Sequence, residues 1–246
     1  MKVNIKARSK IMIGIICAMQ IEADGIINLT QNKTTKTINK MNFTSGTING
    51  KDVVIVVCSE GKVNAAMCAT TLILNYNPDI VINSGVAGAL SSKVSIGDIV
   101  IATSAVEHDM NMTALGYRRG EVIVPDGKMI YFECDKKIAN TFYEVCNKIE
   151  NTRVEKGVIA SGDIFVSDRS HRLKIADAFD ALACEMEGAA IGHVCYRCGV
   201  PYGIIRAISD DLNENKGMDF VKFCKLAAEK TVFAVVNFVE SFSITK

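Results

Sequence analysis

Short β-branched apolar runs alternate along the chain with segments whose apolar residues recur every three or four positions. The runs at 11–18, 43–48, 53–57, 80–83, 98–102, 154–160, 181–184 and 202–208 predict strands. The inner runs are apolar almost throughout, as strands covered on both faces are. Helices are predicted over 20–29, 63–75, 136–149, 170–179, 187–198 and 219–242. The last of these places Phe220, Phe223, Leu226, Ala227, Val232, Val235, Val236 and Val239 at amphipathic spacing. Residues 44–52 read as a turn, with Asn49-Gly50 as a hairpin signal. Strand–helix alternation of this kind predicts an α/β fold with a largely parallel sheet and helices on both faces. No composition shift, repeat or low-complexity tract divides the chain.

Composition narrows the function classes. The 246 residues carry 28 Lys and Arg against 27 Asp and Glu, a formal charge of +1. That balance offers no basic stripe for phosphates and excludes a nucleic-acid partner. Apolar residues make up 49%, ample for a core. No run approaches the ~18–20 apolar residues of a membrane span. Lys2, Lys6, Arg8 and Lys10 precede an apolar run, as in a signal peptide. The run is short, contains Gly14, and leads into Gln20, Glu22 and Asp24 rather than a small-residue cleavage site. Residues 1–10 therefore read as a disordered leader, and 11–246 as one domain. Nine scattered cysteines favour a reducing, cytoplasmic setting over a disulfide framework. Cys195-Tyr-Arg-Cys198 falls late in a predicted helix and reads as packing. His108, His171 and His193 lack ligand spacing, so no metal site is expected.

In sheets of this class, ligands bind beyond the carboxyl ends of the strands. Four polar stretches fall there. Glu22 follows the first strand, in a first helical turn where a carboxylate also suits the helix dipole. Asn83-Ser84-Gly85-Val86-Ala87-Gly88-Ala89-Leu90 reads as a strand ending in a small-residue loop, whose glycines let a backbone approach a ligand. Cys184-Glu185-Met186-Glu187-Gly188 sets two carboxylates in an apolar setting at a helix start. Such acids need partners, and a sugar diol or the helix terminus itself would serve. Asp210, in Arg206-Ala207-Ile208-Ser209-Asp210-Asp211, leaves the last inner strand, placed either to enter a site or to cap the next turn.

Taken together these stretches resemble the nucleoside phosphorylase/nucleosidase superfamily and, within it, the 5′-methylthioadenosine/S-adenosylhomocysteine nucleosidases. The resemblance is carried by residues 13–19 with Glu22, 61–66, 83–88, 97–100, His108-Asp109 with 113–117, 161–165, Glu185-Met186-Glu187 and 206–210, in the family's order over nearly the whole chain after residue 10. It implies a single-domain, three-layer α/β/α, nucleoside phosphorylase-like fold with a mixed, largely parallel central sheet. It implies hydrolysis of the N-glycosidic bond between adenine and a 5′-thio-substituted ribose, with 5′-deoxyadenosine as a further candidate substrate and no cofactor.

Carried over position by position, Asp210 resembles the general acid for adenine N7 and Glu22 the group that activates water. Glu187 resembles the carboxylate that holds the ribose hydroxyls, with Met186 against the sugar and Arg206 near water and ribose. Phe165 would stack on the base and the Val166 backbone would pair with its edge. Met19 and Phe220 would line the sugar and 5′-thio end. Val86, Ala87, Gly88, Glu185 and Ser209 are carried over as further binding positions. The family's second subunit completes the 5′ end, which implies a homodimer, with Met112, Leu115 and Tyr117 in the stretch given across the interface.

Three positions depart from the pattern: Val86 where some members have Ser, Leu115 where some have Phe, and Glu60 where an apolar residue is usual. A carboxylate at 60 would weaken an alkylthio contact, receive a polar or cationic 5′ group, or turn to solvent. The same residues would also suit an aminodeoxyfutalosine hydrolase. A purine nucleoside phosphorylase needs an anion site, which Glu22 would repel. A non-catalytic nucleoside-binding protein on this scaffold has no use for a water activator.

Overall fold

The computed structural model describes residues 11–210, 212 and 220–243, with the backbone alone for 220–222. The expected leader (1–10), Asp211 and the Phe220 side chain lie outside the described residues. The chain opens with β1 (Met12–Cys17), α1 (Gln20–Leu29), β2 (Gln31–Ile38), β3 (Met41–Ile48), β4 (Lys51–Val57) and α2 (Lys62–Tyr76). It continues through β5 (Ile80–Ala89), β6 (Ile99–Glu107), a short 3-10 turn at Thr113–Leu115, β7 (Val122–Val124), β8 (Gly127–Met129), β9 (Tyr131–Glu133) and α3 (Lys136–Cys146). It closes with β10 (Val154–Ser161), α4 (Arg169–Phe179), β11 (Ala181–Glu185), α5 (Gly188–Cys198), β12 (Tyr202–Asp210) and α6 (Phe220–Ser241).

The main sheet is ordered β11-β10-β6-β12-β5-β1-β4-β3-β2, with β9 also on β6. It is mixed: β4, β1, β5 and β12 run parallel, as do β6, β10 and β11, while β12 meets β6 antiparallel. β11 turns back to pair with β5, Ala183 opposite Ala89 and Cys184 opposite Gly88. The strands β5, β12, β6, β10 and β11 therefore close a ring, and the remaining strands extend from it as an open sheet.

Helices cover both faces, because the inner strands bury apolar side chains on both sides. One face packs Ile13, Ile15, Ile55 and Ile82 against Ala23 and Ile26 of α1, Ile138 and Phe142 of α3, and Val235 and Phe238 of α6. The other packs Ile16, Val54, Val56 and Val81 against Ala65, Cys68 and Leu72 of α2 and Ala189, Ile191 and Cys195 of α5. The result is the expected three-layer α/β/α arrangement.

Local departures from expectation have simple causes. The Asn49-Gly50 turn is tight: both residues have positive φ (48° and 75°), and Ile48 pairs directly with Lys51, so the turn occupies two residues and not 44–52. The stretch read as a loop after Asn83 is strand through Ala89, because β12 pairs with it from Val81 to Gly88 and β11 takes up its end. Its small residues reflect crowding by side chains rather than a turn. All nine cysteines are free, with Cys195 buried and Cys198 exposed. Among the described residues no helix is long and apolar enough to cross a membrane.

Candidate active site

A cavity of about 220 Å³ opens where β1, β5, β11 and β12 end. Its lining includes Met19, Glu22, Glu60, Val86, Ala87, Gly88, Phe165, Val166, Glu185, Met186, Glu187, Arg206, Ser209 and Asp210. All four of the polar stretches singled out in the sequence meet there. Met112, Leu115 and Tyr117 do not line it; Leu115 is 75% exposed on the 3-10 turn.

Glu22 is buried in the first turn of α1, yet its carboxylate is turned back to the strand ends. One oxygen accepts from Ala18 N (3.0 Å) and Met19 N (2.9 Å), the other from Val86 N (2.9 Å). It caps the helix and faces the cavity at once. Burial raises its pKa despite the nearby Arg206 guanidinium and the three amides. Gly85 makes room for this meeting: a Cβ there would lie 2.3 Å from Arg206 Nη1 and 2.4 Å from Glu22 Oε1.

Glu185 and Glu187 are separated by their hydrogen bonds. Glu185 accepts from the backbone amides of Glu187 (3.0 Å) and Gly188 (2.8 Å), from Ser161 Oγ and from Arg206. It caps α5 and anchors the fully buried Arg206, which also donates to Asn83 Oδ1. Glu187 accepts only from Gly61 N at 3.0 Å and, at 3.4 Å, from Arg206 Nη2 among the described residues. Burial and the neighbouring Glu185 charge push the Glu187 pKa up to about 8. Three carboxylates thus surround one guanidinium, and Glu187, with the fewest hydrogen bonds of the three, has the most acceptor capacity left for a ligand.

Asp210 ends β12 opposite Gly88. It pairs with Arg172 of α4 and accepts from Ser209 Oγ at 3.1 Å. Arg172 also donates from Nε to the Val166 carbonyl at 2.9 Å. Arg172 lines the cavity and lay in none of the stretches marked in the sequence; Ala18, Ile164 and Cys184 line it too, and lay in marked stretches without being named as binding positions. A buried arginine inside Ser170-His171-Arg172-Leu173-Lys174 looks like part of a solvated helix face, and no motif singles it out. Along β5, the amide that holds Glu22 (Val86) and the residue facing Asp210 (Gly88) are two positions apart, about 7 Å of strand.

The loop that carries Phe165 and Val166 is tied down by charge. Lys62 Nζ bridges Glu107 (3.1 Å) and Asp109 (2.7 Å), and Asp109 accepts from Asp163 N (2.9 Å). Asp163 in turn accepts from Lys62 N at 2.7 Å. Among the described residues no group of three or more His, Cys, Asp or Glu is arranged to hold a metal ion.

Comparison with known proteins places this geometry in context. The family model of the phosphorylase superfamily matches residues 12–240. The chain is similar to a 5′-methylthioadenosine/S-adenosylhomocysteine nucleosidase of Shewanella halifaxensis, 34% identical over 231 residues, 91% of this chain and 96% of the relative. It is likewise similar to one of Anoxybacillus flavithermus, 38% identical over 217 residues, 88% of this chain and 92% of the relative. Among solved structures, the nucleosidase of that name from Neisseria meningitidis, in complex with methylthio-immucillin-A, superposes with a TM-score of 0.88 at 33% identity, covering 94% of this chain and 99% of the other.

Proposed function

This chain belongs to the phosphorylase superfamily, in its 5′-methylthioadenosine/S-adenosylhomocysteine nucleosidase branch, and from that premise we propose how its cavity works. It is an N-glycosyl hydrolase: it cleaves adenine from 5′-thio-substituted adenine nucleosides with water as the nucleophile.

The single observation that carries the hydrolytic reading is the buried Glu22 beside Arg206. Arg206 is the cavity's fully buried cation, and it is already committed to Glu185 and Asn83. An attacking phosphate would find a carboxylate where it needs an unpaired cation. Water suits the place, and Glu22 can take its proton, because burial has raised its proton affinity. As the adenine bond breaks, positive charge builds on the sugar. Glu187, with acceptor capacity to spare on both oxygens, strengthens its hold on the ribose hydroxyls as that charge grows. Asp210 delivers the proton that lets adenine leave as a neutral base. Phe165 and the Val166 backbone hold the base next to Asp210, and Met19 and Met186 pack on the sugar.

The assembly belongs to the same reading: a homodimer in which residues 112–117 of one copy close the 5′ end of the other's cavity. It is supported by exposed apolar side chains at Leu115, Ile164 and Phe165 and along α2 at Val63, Met67 and Leu74. Leu115→Asp should then yield monomers with much weakened activity in a sedimentation and assay pair. A cytoplasmic location accords with nine free cysteines.

The direct test is adenine release from methylthioadenosine, S-adenosylhomocysteine, 5′-deoxyadenosine and aminodeoxyfutalosine, with and without phosphate. Release from the first two, indifferent to phosphate and with the 5′-thio-substituted ribose as co-product, is expected. Release that depends on phosphate would make the protein a phosphorylase instead.

A further inference from the structure

Glu60 stands apart from the other acids of the cavity. It lines the opening yet is exposed, and among the described residues no cation pairs with its carboxylate. Its backbone is tightly fixed. Ser59 and Gly61 on either side both hold positive φ, 68° and 96°. Ser59 N donates to Ala18 O at 3.1 Å, Gly61 N to Glu187 at 3.0 Å, and the Glu60 carbonyl accepts from Asn64 Nδ2 at 2.8 Å. Residue 60 is thus pinned one peptide away from the carboxylate assigned to the ribose. It shares the cavity with the Arg172–Asp210–Val166 cluster assigned to the base. Ala18, Met19 and Met186, all apolar, line the same cavity, and Ala18 is joined to Ser59 by that backbone hydrogen bond.

With the ribose hydroxyls on Glu187, which Gly61 N holds, the nucleosidase reading brings a substituent on the ribose 5′ carbon to this residue. A methylthio group would cover a charged carboxylate and return nothing for the lost water. A substituent ending in an ammonium group would exchange that water for a charge-assisted hydrogen bond. We propose that Glu60 is a specificity residue, which pairs with the α-ammonium of the homocysteine arm and makes S-adenosylhomocysteine the preferred substrate over methylthioadenosine. This rests on the nucleosidase reading above and adds a ranking within it. The α-carboxylate of the arm, being of like charge, faces away from Glu60 into solvent.

The test is the ratio of kcat/KM for S-adenosylhomocysteine to that for methylthioadenosine in the wild type, Glu60→Gln and Glu60→Ile. Both substitutions should lower the ratio about tenfold, the isoleucine partly by improving methylthioadenosine. An S-adenosylhomocysteine analogue with hydrogen in place of the amino group should lose the advantage in the wild type and show no further loss in Glu60→Gln. High salt should erode the wild-type preference, since the pair is solvent-accessible. The glutamine variant is nearly isosteric and keeps the measurement valid should the isoleucine variant fold poorly. Ratios within twofold of wild type in active enzymes overturn the role of Glu60 alone. A wild type that releases adenine from neither substrate overturns the nucleosidase reading and this ranking with it.

Discussion

Arg172 pairs with Asp210 while its Nε holds the Val166 carbonyl, so one side chain couples the acid at the end of β12 to the loop before α4. Neither the acid nor the loop needs the other for its place in the chain; the guanidinium makes them a unit. Arg172→Leu should therefore leave the acid present but loosely aimed. Its kcat should fall by about 10- to 100-fold, less than the ~10²–10⁴-fold of Asp210→Asn, which keeps the shape but has no proton to give. Binding of a nucleoside analogue should survive in Asp210→Asn. Full kcat in Arg172→Leu, measured beside Asp210→Asn, would remove the positioning role.

Glu22→Gln should lower turnover at least ~10²-fold, because an amide is no base. The hydrogen bonds add a second effect. Three backbone amides donate to the two Glu22 oxygens, and one end of a glutamine must present an NH₂ to them. A fall of a few degrees in Tm should accompany the activity loss, with inhibitor-induced thermal shift retained. Turnover within tenfold of wild type would exclude Glu22 as the water activator.

Gly85→Ala tests the closeness of Glu22 and Arg206. The added methyl would fall within 2.4 Å of both, and neither can retreat, since each is locked by its own hydrogen bonds. The expected cost is about 1–3 kcal/mol in urea unfolding, with hydrolysis lost. A variant as stable and active as wild type would mean that the carboxylate and guanidinium are looser than described.

Glu187 predicts a pH dependence of the unliganded protein's stability. Its folded pKa, near 8, lies above the ordinary carboxylate value. Between those two values the folded state keeps a proton that the unfolded chain releases. Stability is therefore fully present below the unfolded pKa and is lost as pH rises through the folded one, at no more than about 1.4 kcal/mol per pH unit. Buried His108 has its pKa lowered, chiefly by burial, which gives the opposite slope in acid. Urea unfolding from pH 6.5 to 8.5 isolates the Glu187 effect. Wild type should weaken across that range and Glu187→Gln should weaken less; equal slopes would refute the assignment.

The layers of the fold were legible in the residues themselves. β1, β4 and β12 are apolar runs, and α1, α3 and α5 end close to where their patterns end. β2 was not, because Gln31-Asn32-Lys33-Thr34-Thr35-Lys36-Thr37 is exposed on both faces and offers no alternation to read. β7, β8 and β9 are three residues each, too short for any period. The second half of β5 looked like a loop because its glycines mark close approach, a property of the neighbours and not of the strand. In the site, the acids showed themselves by lying at strand ends. The division of labour between Glu185 and Glu187 depends on which amides reach them, and Arg172 on a tertiary contact, so neither is written in local sequence.

The closed ring has a consequence for how copies of this protein can meet. An open sheet normally exposes rows of unpaired amides and carbonyls, which are templates for strands of another molecule. Here β11 returns to β5 at one end, and β9, the extra strand on β6, has only three residues. At the other end β2 carries Lys33 and Lys36, and its register slips between Gln31 and Thr34. Charge and irregularity of this kind discourage intermolecular β-pairing. Any joining of copies is then left to helix and loop surfaces, and the native state resists growth into fibrils.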